Sequence, residues 1–200
     1  MNSMMHDKEP QQRTFNDARS SIVATIRNIK PFDERERLHI QDTIEWINSG
    51  AEIFRIKKPD IPPKHLGTYF VVLNDACTEM LLVDHKKAQL WIPPGGHVDL
   101  NEHPTSTIKR ECQEELGIEA NFIFPEPIFL TQSRVGDVAC THVDVNIWYA
   151  LRCSNKEMIN FDPNEFNDVQ WILLDELPFD KTDRDLKRFV RKLLTLRSTC

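Results

Sequence analysis

Three glutamates, Glu111, Glu114 and Glu115, follow a Pro93-Pro94-Gly95-Gly96 turn within the segment GHVDLNEHPTSTIKRECQEELGI, which runs from Gly96 to Ile118. On a helix, which advances about 100° per residue, these carboxylates share an arc of roughly 100°. Crowded like charges repel, and the i,i+4 pair Glu111/Glu115 destabilises a bare helix by about 0.2–0.5 kcal/mol. That calls for a compensating positive charge. Carboxylate oxygens are the ligands of hard divalent cations such as Mg²⁺, Mn²⁺ and Ca²⁺. Gly95 and Gly96 lack a Cβ and can take φ > 0, so a phosphate or a metal can approach their backbone closely. Arg110 precedes Glu111 directly and stands at i,i+4 to Glu114, where it can steady either. Taken alone, the glutamates also fit a solvated acidic helix face.

The surrounding residues extend the pattern. Gly96, Glu102, Arg110, Glu111, Cys112, Glu114, Glu115, Gly117 and Ile118 fit G-x5-E-x7-R-E-U-x-E-E-x-G-U, where U is a bulky apolar residue. Every fixed letter is present, and Cys112, standing for an aliphatic side chain, behaves as a small apolar residue when buried. At average amino-acid usage such a match arises on the order of once in a billion starting positions. This is the Nudix box, and the chain resembles a Nudix (MutT-like) hydrolase. The resemblance implies hydrolysis of a pyrophosphate bond in a nucleoside diphosphate linked to another moiety, with Mg²⁺ or Mn²⁺ as cofactor. It implies Glu111 and Glu115 as metal ligands together with the Gly95 carbonyl, Glu114 binding directly or through water, and Arg110 orienting Glu111. Glu102 is then an outer ligand or a partner for loop N–H groups. Similar proteins carry a catalytic glutamate six residues before a tryptophan, the spacing that separates Glu165 from Trp171 here. Glu165, Glu114 and Glu111 all remain candidates for the base.

Substrate contacts are expected from Gly96, from His97 beside it, and from one face of a later strand that carries His142, Asp144 and Asn146. A solvent-facing strand surface explains that alternation equally well. Trp91 and Trp148 suit packing better than base stacking. The positions at which Nudix subgroups carry a proline or tyrosine downstream of the box hold Arg134, Val135 and Gly136. That disfavours ADP-sugars and dinucleoside polyphosphates. Two alternatives stay open: a non-catalytic nucleotide-binding Nudix module, and an enzyme like isopentenyl-diphosphate isomerase. The latter needs a buried catalytic thiol, for which Cys77, in a turn-like segment, is poorly placed.

The box must be positioned by the elements around it. Pro104 suits the first helical turn and Gly117 the left-handed residue past its end, while Ile108, Cys112 and Leu116 make an apolar stripe. Strands are expected at Leu66–Leu73, Met80–Asp84, Leu90–Ile92, Phe122–Phe124, Ile128–Thr131, Cys140–Leu151 and Val169–Leu174, with a closing helix at Asp183–Leu196. Upstream, a polar tail to about residue 13 precedes helices at about Asp17–Ile29 and after Pro31, the second begun by an Asp33/Glu36 capping box. Strands and helices so mixed give an α/β protein, and the resemblance makes it a Nudix α/β/α sandwich with a mixed sheet. Residues 1–64 read as a tail and two-helix extension, packed on the main domain or on a second subunit in a homodimer, and residues 65–200 as the Nudix domain.

A net charge of −6 argues against a nucleic-acid polymer as partner, though not against a nucleotide-like small molecule whose phosphates a metal neutralises. Five cysteines without metal-site spacing suit free thiols in a reducing cytosol. No apolar run approaches 18 residues, so no membrane association is expected and the protein is placed in the cytoplasm.

Overall fold

Strand β1 (Lys64–Leu73) organises the molecule. It is buried over nearly its whole length, as a strand covered on both faces must be, and it pairs in parallel with β6 (His142–Arg152) along ten residues. Its other edge is shared. The middle pairs antiparallel with β4 (Gly95–His97), and the end meets β2 (Glu79–His85). β2 in turn pairs with β3 (Leu90–Ile92) and β7 (Phe166–Leu173), and β6 pairs with β5 (Phe129–Val135), completing a mixed seven-stranded sheet. The computed structural model describes residues 10–57, 61–136 and 141–197.

Helices cover both faces. Alternate residues of β1 point to opposite layers: Leu66, Phe70 and Val72 join one core with Ile22 and Ile26 of α1 (Pro10–Arg27) and Ile108 of α3 (Pro104–Glu111). Val71 and Leu73 join the other core with Leu186, Phe189 and Leu193 of α4 (Leu186–Arg197). This is the expected α/β/α sandwich. No helix among the described residues is long and apolar enough to cross a membrane.

α2 (Glu34–Asn48) is capped as expected: the Glu36 N–H donates to Asp33 Oδ1 at 2.8 Å, and Glu36 Oε2 accepts from the Phe32 N–H at 2.6 Å. Glu36 also reaches inward. Its Oε1 accepts from Lys192 Nζ at 2.7 Å and from the Leu130 N–H at 3.2 Å. Two residues along β5, the Gln132 N–H donates to His39 Nδ1 at 3.1 Å. α2 therefore lies along the edge strand and occupies donors that would otherwise invite another strand.

Four expectations need correction. α1 starts at Pro10, so the part of the polar tail that is described is already helical; residues 1–9 lie outside the described residues. Phe122–Phe124 forms only an isolated bridge, Phe122 to Leu151, because Pro125 and Pro127 deny the ladder two donors. The box helix is not α-helical to its end: Cys112–Leu116 is a π-helical turn. The strand expected from Cys140 begins at His142, Cys140 itself lying outside the described residues.

Candidate active site

The box grows out of β4. His103 caps α3, accepting from the Thr105 N–H through Nδ1 at 3.3 Å, and its Nε2 lies 3.2 Å from Thr25 Oγ1 of α1. The upstream extension thus braces the start of the box helix. Pro104 occupies the first turn as its chemistry predicts, and Ile108, Cys112 and Leu116 are fully buried, so one side of the helix is anchored. The π-turn ends at Gly117 with φ of 65°. A π-turn widens the helix by one residue and is common at functional sites. Here the Glu115 carbonyl accepts from the Asp162 N–H at 2.9 Å and the Leu116 carbonyl from the Asn160 N–H at 3.0 Å. The loop leading to β7 is thereby tied to the helix that bears the glutamates.

Gly96 has a specific reason to be glycine. A Cβ there would fall on the carboxylate of Glu111, which packs directly against the turn. Glu111 is held by Arg110, whose Nη1 donates to Glu111 Oε1 at 2.7 Å and to Glu114 Oε2 at 3.3 Å. The other side of the guanidinium binds Glu102, with Nη2 at 3.2 Å from Oε2, and reaches the His97 carbonyl at 3.4 Å. Glu102 also accepts from Thr107 Oγ1 at 2.7 Å and from the Asp99 N–H at 3.3 Å. The Asp99 contact is the loop N–H partnership expected of it. These donors hold its carboxyl below the usual range against the opposing effect of burial.

Glu115 is the outlier. Burial pushes its carboxyl up to about 9, and the charges of Glu111 and Glu165 push the same way, opposed by Arg110 and by a donated Gly95 N–H. Its Oε2 is buried without a hydrogen-bond partner. Glu111 is raised for similar reasons, burial first, with Arg110 opposing and Glu114 and Glu165 adding to the rise. Glu165 is exposed on the tied loop and acts electrostatically on both. The fold thus brings together Glu111, Glu114, Glu115 and Glu165 from two segments, and Arg110 brings one positive charge to them. A divalent cation fits this donor set: hard oxygens, excess negative charge and an orphaned buried carboxylate oxygen.

His97, His142 and Asp144 also come together, beside the turn. The polar face of β6 is not solvent-facing: His142 and Asn146 are buried and Asp144 is half-buried. Asp144 Oδ1 lies 3.3 Å from His142 Nε2 and 3.9 Å from His97 Nε2. A fourth member, His65, lies 3.0 Å from the same oxygen and was not legible in the sequence. Its only mark there is a polar residue opening an apolar run. Trp148 is core, its Nε1 donating to Thr131 Oγ1 at 2.8 Å, and Trp91 packs partly buried against the α4-side core.

Comparison with known proteins comes to the same place. Residues 63–193 match the NUDIX domain family. No curated protein sequence is significantly similar to this one. Among solved structures, a C. elegans Ap4A hydrolase binary complex superposes with a TM-score of 0.53 at 17% identity, over 68% of this chain and 98% of that one. The MutT protein from Methanosarcina mazei Go1 gives 0.52 at 18% identity, over 66% and 94%. The NUDIX domain of Shewanella oneidensis NrtR, complexed with ADP ribose, gives 0.51 at 18% identity, over 65% and 86%. At these identities the likeness is one of fold.

Proposed function

This chain belongs to the NUDIX family and is a pyrophosphate hydrolase of that family; we propose that it acts with Mg²⁺ or Mn²⁺ on a nucleoside diphosphate linked to another moiety. The observation that carries this reading is the buried, unpartnered Glu115 Oε2 beside Glu111, in a cluster whose negative charge Arg110 does not balance. Glu111, Glu115 and the Gly95 carbonyl would hold the ion, with Glu114 completing the set. An ion there supplies Lewis acidity to a phosphoryl oxygen and makes water a competent nucleophile at neutral pH.

The chain's own groups do the rest. Arg110 fixes the Glu111 carboxylate with one nitrogen and the box loop with another, so the ligand is set before substrate arrives. Gly96, lacking a Cβ, lets the Glu111 carboxylate pack directly against the turn. Glu165, exposed on the loop tied to the box helix, would take a proton from the attacking water as oxygen adds to phosphorus and the bridging P–O bond breaks. The leaving phosphate departs with the bridging oxygen. His97, His142 and Asp144, adjoining Gly96 through His97, are the candidates for contacts beyond the phosphates. A nucleotide derivative as substrate is supported by two fold neighbours whose names carry Ap4A and ADP ribose.

A panel of nucleotide sugars, dinucleotides, and normal and oxidised nucleoside triphosphates, supplied with Mg²⁺ or Mn²⁺, tests the reading. At least one member should yield a nucleoside monophosphate or pyrophosphate. Metal-dependent nucleotide binding with no turnover of any member would replace the enzyme with a binding module.

A further inference from the structure

We propose that His65, His97, His142 and Asp144 form a second metal site, distinct from the box glutamates and suited to a divalent transition ion of the Zn²⁺ or Mn²⁺ kind. The sheet itself sets the cluster. His65 stands opposite Asp144 in the parallel β1–β6 ladder, and His97 stands opposite Gly67, two residues along β1. Nothing in the loops has to close to bring the donors together.

The geometry around Asp144 Oδ1 suits a shared ion. Nitrogen atoms of His65, His142 and His97 lie 3.0, 3.3 and 3.9 Å from it. Ligands about 2.1 Å from one ion, at angles of 90–110°, stand about 3.0–3.4 Å apart, and opposite ligands about 4.2 Å. Donor atoms of His65, His97 and Asp144 lie within 4.8 Å of one another, so side-chain adjustment without backbone movement can close them on one ion.

The His65 ring is oriented as a metal-binding imidazole is. Its Nδ1 lies 2.8 Å from the Pro62 carbonyl, which can only accept, so Nδ1 carries the hydrogen. That leaves Nε2, on a fully buried side chain, facing Asp144 Oδ1 at 3.0 Å. Without an ion, a protonated His65 imidazolium pairs with Asp144 across that 3.0 Å gap, and a bound metal ion takes the place of the Nε2 proton. The imidazole-rich donor set favours a transition ion over Mg²⁺, whereas the box offers only oxygens. His97 and Asp144 keep 29% and 18% side-chain exposure, leaving room for an ion to enter and for a further ligand. Arg55 Nη1, 3.4 Å from His97 Nε2, gives up that contact when the ion binds.

Equilibrium dialysis of the full chain against Zn²⁺, with bound metal measured directly, tests this, with Co²⁺ as a visible-absorbing substitute. One tightly held equivalent is expected in the wild type and in Glu115→Gln. Asp144→Asn and the partly exposed His97→Gln should bind more than about tenfold more weakly while keeping the wild-type circular dichroism. The Co²⁺ spectrum should lack thiolate charge transfer, which excludes the cysteines as ligands. Absence of retained Zn²⁺ in the wild type, unchanged affinity in His97→Gln, or loss of the ion in Glu115→Gln would each overturn the proposal. Because hydrolysis is not the readout, failure here leaves the box reading standing.

Discussion

Glu115 combines two features that seldom occur together, a buried carboxylate and an oxygen with no donor, and both bear on pH. Its carboxyl titrates near 9 in the fold, whereas it is ordinary in the unfolded chain. Between those values the unfolded chain binds fewer protons, so the stability of the metal-free protein falls as pH rises through that window. The melting temperature in EDTA should therefore drop steadily from about pH 5 to about 9, and Glu115→Gln should flatten the slope. A flat profile in the wild type would contradict the burial argument. Gly96→Ala tests the other side of the same contact. Its methyl group would displace the Glu111 carboxylate, and misplacing a ligand by about 1 Å costs on the order of 10²-fold in kcat. Equal losses in Gly96→Ala and in an exposed-loop control would show that the contact is incidental. The residues of the box were legible because their spacing is linear in the chain. His65 was not, because its partner Asp144 is met only through a parallel pairing whose register no local pattern encodes.

At the scale of elements, the π-turn and the loop before β7 act as one unit. The carbonyls of Glu115 and Leu116 tie down the Asp162 and Asn160 N–H groups, and that tether holds Glu165 within electrostatic reach of Glu111 and Glu115. Glu165→Gln keeps the loop and removes the proposed proton acceptor, so kcat should fall by about 10²–10⁴-fold with KM little changed. Steady-state kinetics at saturating metal decides it, and a change confined to KM would make Glu165 a binding group. Helix and strand periodicity showed most of these elements, since the Ile108, Cys112 and Leu116 stripe survives a π-turn unchanged. The turn itself was invisible, because one inserted residue alters hydrogen bonding without altering the apolar pattern. The two faces of β6 were separated correctly in sequence, but only the packed structure shows that the polar face is enclosed.

The molecule as a whole is held by a polar tie between distant segments. Lys192 of α4 and Glu36 of α2 form a buried pair 2.7 Å apart, and Glu36 also accepts from the edge strand β5. Lys192→Met leaves Glu36 buried without its cation and should cost about 3–5 kcal/mol in urea unfolding. A loss below about 1 kcal/mol would mean that α2 does not depend on this tie. The tie explains why the helical extension, blank in chemistry when read from sequence, matters: it shields β5 and braces α3 through Thr25 and His103. Long-range contacts of that kind leave no periodic trace in the chain.

The most direct test is a Mg²⁺ titration of pyrophosphate-bond hydrolysis, using the best substrate from the panel, in the wild type and in Glu115→Gln. Wild-type turnover should rise from nothing to saturation with added Mg²⁺, and Glu115→Gln should stay folded yet fall by about 10³-fold at saturating metal. Hydrolysis that persists in EDTA, or a Glu115→Gln protein as active as the wild type, would contradict a metal-loaded carboxylate site.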